Sequence, residues 1–419
     1  MSEGRQCVGG SPAPASDLLI IKKSAMGRAG RPPPTNAGAF PATGHDPVPF
    51  MTILVFNVGS SSVKFSLFQG NELEPVLSHS HSLKEATGGR EEIFSEISAQ
   101  MDTFRIDAIG HRFVHGGSEF HGPTLISPSV RIKLEQLSQL APLHQPPALQ
   151  ILDLAFERFP GIPQYAAFDT GFFFDLPLES QIYPVPFEWY EIHHIRRFGF
   201  HGLSHKASWS RLAELAGEEA SRSKIVIAHL GSGCSLCAIQ NGKPVETTMG
   251  FTPLDGVMMG TRPGSLDPGI LLHLLRNGIK TLSELEEELQ SRSGLLGVSG
   301  VSSDIRNILS EADAGNPRAS IARDQFCQSI RGEIASLTVR MGGLDHLIFT
   351  GGIGTNSVEI RERILGNLSP LGCDFDATEN ATAVPDCKIS TPHSKVQIHV
   401  FESREEVEIA RSIVQLPPN

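Results

Sequence analysis

Two apolar runs, residues 53–58 and 63–68, flank a short polar segment, Asn57-Val58-Gly59-Ser60-Ser61-Ser62-Val63-Lys64. Their β-branched and aromatic content predicts two strands joined by a Gly/Ser turn. The pattern returns half a chain later. Residues 224–230 are a continuous apolar run, Gly231-Ser232-Gly233-Cys234-Ser235 is a turn, and residues 236–239 lead out to an Asn241-Gly242 hairpin signal. Two strand–turn–strand units so far apart predict a duplicated domain.

Strand and helix patterns alternate between and after these units, which favours α/β layers. Residues 106–115, 164–168, 345–350 and 397–401 read as further strands. Residues 130–140 read as a helix, and Pro146-Pro147 starts another that runs through Phe159. Asp267-Pro268 is an N-cap followed by proline, with Gly278 as the stop. Thr281 and Glu284 are spaced as a capping box. Asn316-Pro317 opens a long helix to Met341, Gly351 opens another, and residues 405–414 form the last.

Residues 1–50 break this pattern. They are rich in Pro, Gly and Ala and cannot bury enough apolar surface to fold, so we expect a disordered extension or an upstream start. Residues 18–21 are too short an apolar run for a signal-peptide core, and transit-peptide character is weak. The remainder is long enough for two cores, and no apolar run reaches membrane-spanning length. A net charge of −11 argues against a nucleic-acid footprint over the whole surface, so any basic site is local. Six cysteines in 419 residues fit a reducing compartment. Cys234 and Cys237 form a lone CxxC with no completing zinc set, and read as buried thiols.

The Gly/Ser turns present backbone N–H groups and hydroxyls suited to phosphate, with Lys64 as a point charge. This is not the P-loop, which needs GxxxxGK[ST] before a helix. Five further segments set polar groups beside glycines. They are Gly110-His-Arg-Phe-Val-His-Gly-Gly, Leu140-Ala-Pro-Leu-His, Phe168-Asp-Thr-Gly-Phe, Arg196-Arg-Phe-Gly-Phe-His-Gly-Leu-Ser-His, and residues 249–268 with Thr261-Arg262-Pro263-Gly264. His201 and His205 have zinc-pair spacing, but no HExxH glutamate or third ligand accompanies them. Gly352-Ile-Gly-Thr-Asn-Ser lacks the third glycine of a dinucleotide fingerprint.

Taken together and in order, these motifs resemble the acetate kinases, within the wider group of acetate, propionate and butyrate kinases, from Met51 to about Arg411. The resemblance implies duplicated ribonuclease-H-like domains of the actin, sugar-kinase and chaperone-ATPase (acetokinase) superfamily, with the active site in an interdomain cleft. It divides the chain into residues 51–173 plus 406–419 and residues 174–405. It implies a cytoplasmic homodimer that uses ATP and Mg²⁺ to phosphorylate acetate reversibly. The chemistry is consistent on other grounds. A carboxylic acid with a pKa of about 4 is ionised at neutral pH, so the acceptor needs cations rather than a base.

The resemblance also implies roles. Arg112 and Arg262 would bind the carboxylate and the moving phosphoryl group, with His201 donating to the same transition state, His144 helping to position substrate and phosphate, and Asp169 holding an arginine and the metal region in place. Asn57 and Glu405 would hold Mg²⁺, and Ser60, Ser62 and Lys64 would contact phosphates. Val114, Leu143, Phe200 and Pro253 would enclose the acyl methyl. His229, Gly231 and Gly233 would lie near the ATP phosphates, and Asp304, Arg306, Gly352 and Ile353 near adenosine.

Five positions depart from the family pattern: Phe173 for His, Gln145 and Ser232 for Asn, Thr355 for Glu, and Arg404 for Asn. Arg404 sets a cation beside a proposed metal ligand, which would weaken the metal or add a phosphate contact. The alternatives left by the sequence are a propionate or butyrate kinase with the same chemistry, and a nucleotide-binding regulator without activity.

Overall fold

β1 (Thr52–Val58) is buried at every position, as a strand central to a covered sheet must be. This computed structural model describes residues 51–59, 62–70, 73–82, 94–95, 97, 99–101 and 103–417, the side chains of Ser62 and Ser82 excepted. The expected extension 1–50, Ser60 and the Ser62 side chain lie outside what is described. β1 pairs antiparallel with β2 (Ser62–Gln69), which pairs antiparallel with β3 (Pro75–Ser82). On its other side β1 runs parallel to β4 (Ala108–Phe113), which runs parallel to β6 (Gln164–Phe168). The short β5 (Thr124–Leu125) closes this sheet antiparallel to β6.

The second sheet repeats that order. β7 (Ile225–Leu230), β8 (Cys234–Gln240) and β9 (Lys243–Thr247) form an antiparallel ribbon. β7 also runs parallel to β10 (His346–Thr350), which runs parallel to β12 (Gln397–Val400). β11 (Cys387–Lys388) closes the edge antiparallel to β12. The orders β3-β2-β1-β4-β6-β5 and β9-β8-β7-β10-β12-β11 correspond strand for strand. The duplication suspected from two turns therefore extends through both sheets.

The helices start where their caps allow. Asn316 accepts from the N–H groups of Arg318 and Ala319 and opens the helix Pro317–Arg340, which buries Phe326, Ile330, Ile334 and Leu337 in the second core. The Thr281–Glu284 capping box opens Leu282–Ser291, and Asp267 caps Pro268–Arg276. Cys234 and Cys237 are free, fully buried thiols. Among the described residues no helix is long and apolar enough to cross a membrane.

The last helix, Glu405–Val414, returns to the first sheet. Its Ile409, Ala410 and Ile413 pack with Ile53, Val55 and Ala108. The approach is close at Gly110, where a Cβ would stand 2.6 Å from Ile409 Cγ2 and 2.9 Å from Ile413 Cδ1. Gly110→Ala is therefore expected to push this helix outward and to destabilise the protein by about 1–3 kcal/mol. A urea midpoint equal to that of the parent would refute the fit.

Candidate active site

The C-terminal ends of β1, β4 and β6 lie side by side, and they deliver Asn57, Arg112 and Asp169 to one place. Open α/β sheets place ligands beyond such strand ends. The Arg112 guanidinium is the centre of this group. Its Nε lies 3.2 Å from both Asp169 carboxylate oxygens, and its Nη2 donates to Asp169 Oδ2 at 2.6 Å. Nη1 donates to Asn57 Oδ1 at 2.9 Å and to Glu405 Oε2 at 3.1 Å. Asn57 Nδ2 in turn donates to Glu405 Oε2 at 2.8 Å and to Glu406 Oε1 at 2.6 Å.

Burial works against every charge in this cluster. For Arg112 it is outweighed by Asp169 and Glu405, and the guanidinium is held more firmly protonated than usual. Burial raises the Asp169 carboxyl to about 6, because Arg112 only partly offsets it while Glu405 adds like charge. Asp169 remains ionised at neutral pH. Glu405 is also opposed by burial, but Arg112, His229, the Asn57 bond and Lys64 hold its carboxyl below the ordinary value.

The second sheet contributes the opposite wall. His229 occupies the position in β7 that Asn57 holds in β1, one residue before the strand end. His201 precedes the helix Gly202–Ala216 in a left-handed conformation, φ 57°, and its ring centroid lies 4.4 Å from that of His229. A side chain held in this sparsely occupied region is a mark of functional sites. A Cβ on Gly233 would meet Arg262 Nη2 and His201 Cε1, each at 3.0 Å, so the turn, the arginine and the histidine are mutual neighbours. Arg262 Nη1 is anchored on Pro253 O at 2.9 Å.

The charges of Arg112 and Arg262 both act on His144 and on His201. Burial, with these cations, lowers His144 to about 4 and drives His201 well below its ordinary value. Burial likewise lowers His229 to about 4. The site therefore pairs two permanent cations with neutral imidazoles, which can donate without adding charge.

The other expected residues divide. Lys64 is exposed on β2, and its charge reaches Glu405 and His229. The Gly231 N–H donates to Gly233 O at 3.0 Å, which tightens the phosphate turn. Leu143 and Pro253 line a cleft of about 390 Å³ together with His144 and Arg262. Val114 and Phe200 are buried in the second core. Asp304 caps Ile305–Asp313 and is bonded to Arg306, whose side chain is 85% exposed. Gly352 has open space where a Cβ would be, whereas Ile353 packs against the second core.

Four of the five departures are structural in their contacts. Phe173 is fully buried edge-on to His205. Gln145 is buried and donates to the carbonyls of His115 and Leu134, each at 3.3 Å. Thr355 donates to Phe401 O at 2.8 Å. Arg404 turns its guanidinium to Asp386 and Glu74, so its charge is already engaged. Ser232 alone is exposed, at the tip of the turn.

Three contributors escaped the sequence reading. Glu406 shares Asn57 with Glu405, and the Glu405-Glu406 doublet was the available sign. Ser204 bonds His229 Nδ1 at 2.8 Å from the first turn of its helix. Arg197 donates to the carbonyls of Thr247 and Thr248, each at 3.1 Å, and so holds the base of the loop that carries Arg262.

Comparison with known proteins follows the same outline. A family model described as the Acetokinase family matches residues 77–411. The acetate kinase of Rippkaea orientalis is 39% identical over 399 residues, covering 86% of this chain and 98% of that protein. The crystal structure of Porphyromonas gingivalis acetate kinase superposes with TM-score 0.76 at 35% identity, covering 86% of this chain and 98% of that one. A propionate kinase from Francisella tularensis gives TM-score 0.78 at 33% identity, covering 86% of this chain and 98% of that one. The fold is accordingly the duplicated α/β kinase architecture.

Burial of the histidines fixes how stability responds to acid. His111, His115, His144 and His229 are each lowered to about 4 by burial, against about 6.5 in an unfolded chain. Between those limits the unfolded chain binds more protons, so stability falls as pH falls. Asp169, raised to about 6, and Glu333, also raised by burial, act in the opposite sense over part of that range, but two carboxyls oppose four imidazoles. The melting temperature should drop between about pH 7 and pH 5. A rise over that interval would show that these rings are not held neutral.

Proposed function

The chain belongs to the acetokinase family, and on that footing we propose that it transfers the γ-phosphoryl group of ATP reversibly to acetate. The carrying observation is that Arg262 and His201 meet at Gly233 while Arg112 acts on the same histidine from the other sheet. Two anions repel. A carboxylate reaches a terminal phosphate only where fixed positive charge spans both, and a planar guanidinium suits either partner.

In this reading Arg262 and Arg112 bind the acetate carboxylate and the equatorial oxygens of the phosphoryl group. His201 and His144 donate N–H bonds to oxygens on which charge builds in the transition state. Asp169 orients Arg112 by its paired contact. Gly231 and Gly233 leave room for ATP phosphates beside His229, with Lys64 on the first-sheet side; Ser60 and Ser62 are further phosphate contacts proposed from their place in the motif. Adenosine lies toward Gly352 and Ile353, with Asp304 and Arg306 at the rim. We assign two domains, residues 51–173 plus 406–419 and residues 174–405, with the cleft between them.

The donor set suits Mg²⁺. Glu405 and Glu406 bring two carboxylates against the amide of Asn57, whose Oδ1 accepts from Arg112, so hard oxygens gather in one place. Among the described residues no three acidic, His or Cys groups form a complete metal cage, as expected where phosphates and water complete the shell. Asn57 and Glu405 would hold the ion, whose charge would offset that of the phosphates.

The likeness to a propionate kinase at 33% identity supports propionate and butyrate as a second reading, since one methylene changes discrimination by only about 1–3 kcal/mol. We also propose a homodimer in the cytoplasm. The helix Pro268–Arg276 buries none of its residues, and Ile270, Leu272 and Leu275 are 50%, 58% and 40% exposed. Such an apolar face is ordinarily covered by a partner.

Trapping the acyl phosphate with hydroxylamine, at saturating ATP, Mg²⁺ and acetate, tests the activity. No trapped product would favour a catalytically inactive regulator, and higher kcat/KM for butyrate than for acetate would favour the longer acid. Arg262→Ala should lower kcat by about 10²-fold or more, the usual cost of one transition-state donor. A near-normal kcat would remove Arg262 from the site. Light scattering should report a dimer, and Leu272→Glu should shift it toward monomer. A monomeric parent would defeat that assignment.

A further inference from the structure

Arg404 stands at the N-cap of the last helix and makes no side-chain cap bond there. That position favours Asn, Asp, Ser or Thr, which accept from free N–H groups. A guanidinium cannot accept, and a cation at a helix N-terminus is electrostatically disfavoured. Something other than capping must hold this residue.

Its partner is Asp386, in the approach to β11. Arg404 Nη2 lies 2.9 Å from Asp386 Oδ2, and Arg211 Nε lies 2.8 Å from the same oxygen. The Asp386 side chain is only 10% exposed and its backbone is left-handed, φ 69°. The pairing continues in both directions. Arg404 Nη1 lies 3.4 Å from Glu74, ahead of β3 in the first sheet. Arg211 also meets Glu214 at 2.9 Å, and Glu214 meets Arg411 of the last helix at 2.6 Å. An unbroken alternation of charges thus laces the helix that follows His201 to the helix that begins with Glu405.

We propose that Asp386, acting through Arg404, is a positioning residue for Glu405 and so for the metal-binding side of the site. Arg404 is the residue immediately before Glu405, and Asp386 fixes its side chain to the second sheet. Glu405 then faces Asn57 and Arg112 at a set depth. Neither Asp386 nor Arg404 touches a reacting atom. The inference rests on the reading of Glu405 as a Mg²⁺ ligand.

Isothermal titration of Mg²⁺ into the ADP-bound full chain measures the effect without turnover. Asp386→Asn and Arg404→Met should each weaken Mg²⁺ by about tenfold, the scale of loss when a ligand's support is removed. Arg404→Lys should recover part of the loss. The double variant should lose clearly less than the sum of the two, because both changes break the same Arg404–Asp386 pair, each also losing one further partner, Arg211 or Glu74. The KM for acetate should stay within about twofold, as a purely structural lesion would not ensure. Unchanged Mg²⁺ affinity in Arg404→Met, additive losses, or an equal rise in acetate KM would each overturn the proposal. Should Asp386→Asn not fold, Arg404→Met and Arg404→Lys decide the matter alone. Glu405→Gln serves as the separate control. If it leaves Mg²⁺ affinity intact, the ligand reading itself fails, and the positioning role fails with it.

Discussion

A single buried guanidinium organises the first half of this site. Arg112 is gripped by Asp169, Glu405 and Asn57, which come from β6, the last helix and β1. Removing one partner from such a set leaves an uncompensated buried charge, which is costlier than the pair is stabilising. The arrangement therefore demands that three strand ends and a helix from the far end of the chain arrive together. The return of Glu405–Val414 onto the first sheet, at the position where Gly110 has no side chain, is what meets that demand.

Two guanidinium groups near one another would repel if the space between them were filled with further positive charge. The imidazoles avoid this. Burial and the arginines themselves keep His144, His201 and His229 neutral, so their N–H groups are available without added repulsion.

Much of this was legible along the chain. The paired strand–turn–strand units are announced by β-branched runs and glycines, and the capping box and proline starts fall where the helices begin. The edge strand β3 was missed because Pro75–Ser82 is rich in polar residues, as solvated edges are, and β9 was announced only by the Asn241-Gly242 turn, since Lys243–Thr247 is itself mostly polar. The helix Gly202–Ala216 escaped notice for a different reason. Its buried face contains Ser204, His205 and Ser208, and an amphipathic pattern is not visible when the inner face is polar. Those groups face inward because Ser204 and His205 bond His229 and Ser235 across the sheet.

A kinase whose acceptor is a hydroxyl faces a different problem, and the state of the acids separates the two cases. A hydroxyl must lose a proton, so its kinase needs a carboxylate free to receive one. Asp169 is not free here. Both of its oxygens face Arg112, and the Leu203 N–H donates to it as well. Glu405 is shared between Arg112 and Asn57, and Glu406 is bonded to Asn57. With these acids committed to cation and amide, the site is poorly equipped to deprotonate an alcohol. An acceptor that arrives already ionised removes the need, and a short carboxylic acid at neutral pH is such an acceptor. The pairing of the acids, more than the presence of the arginines, is what ties this cleft to carboxylate chemistry.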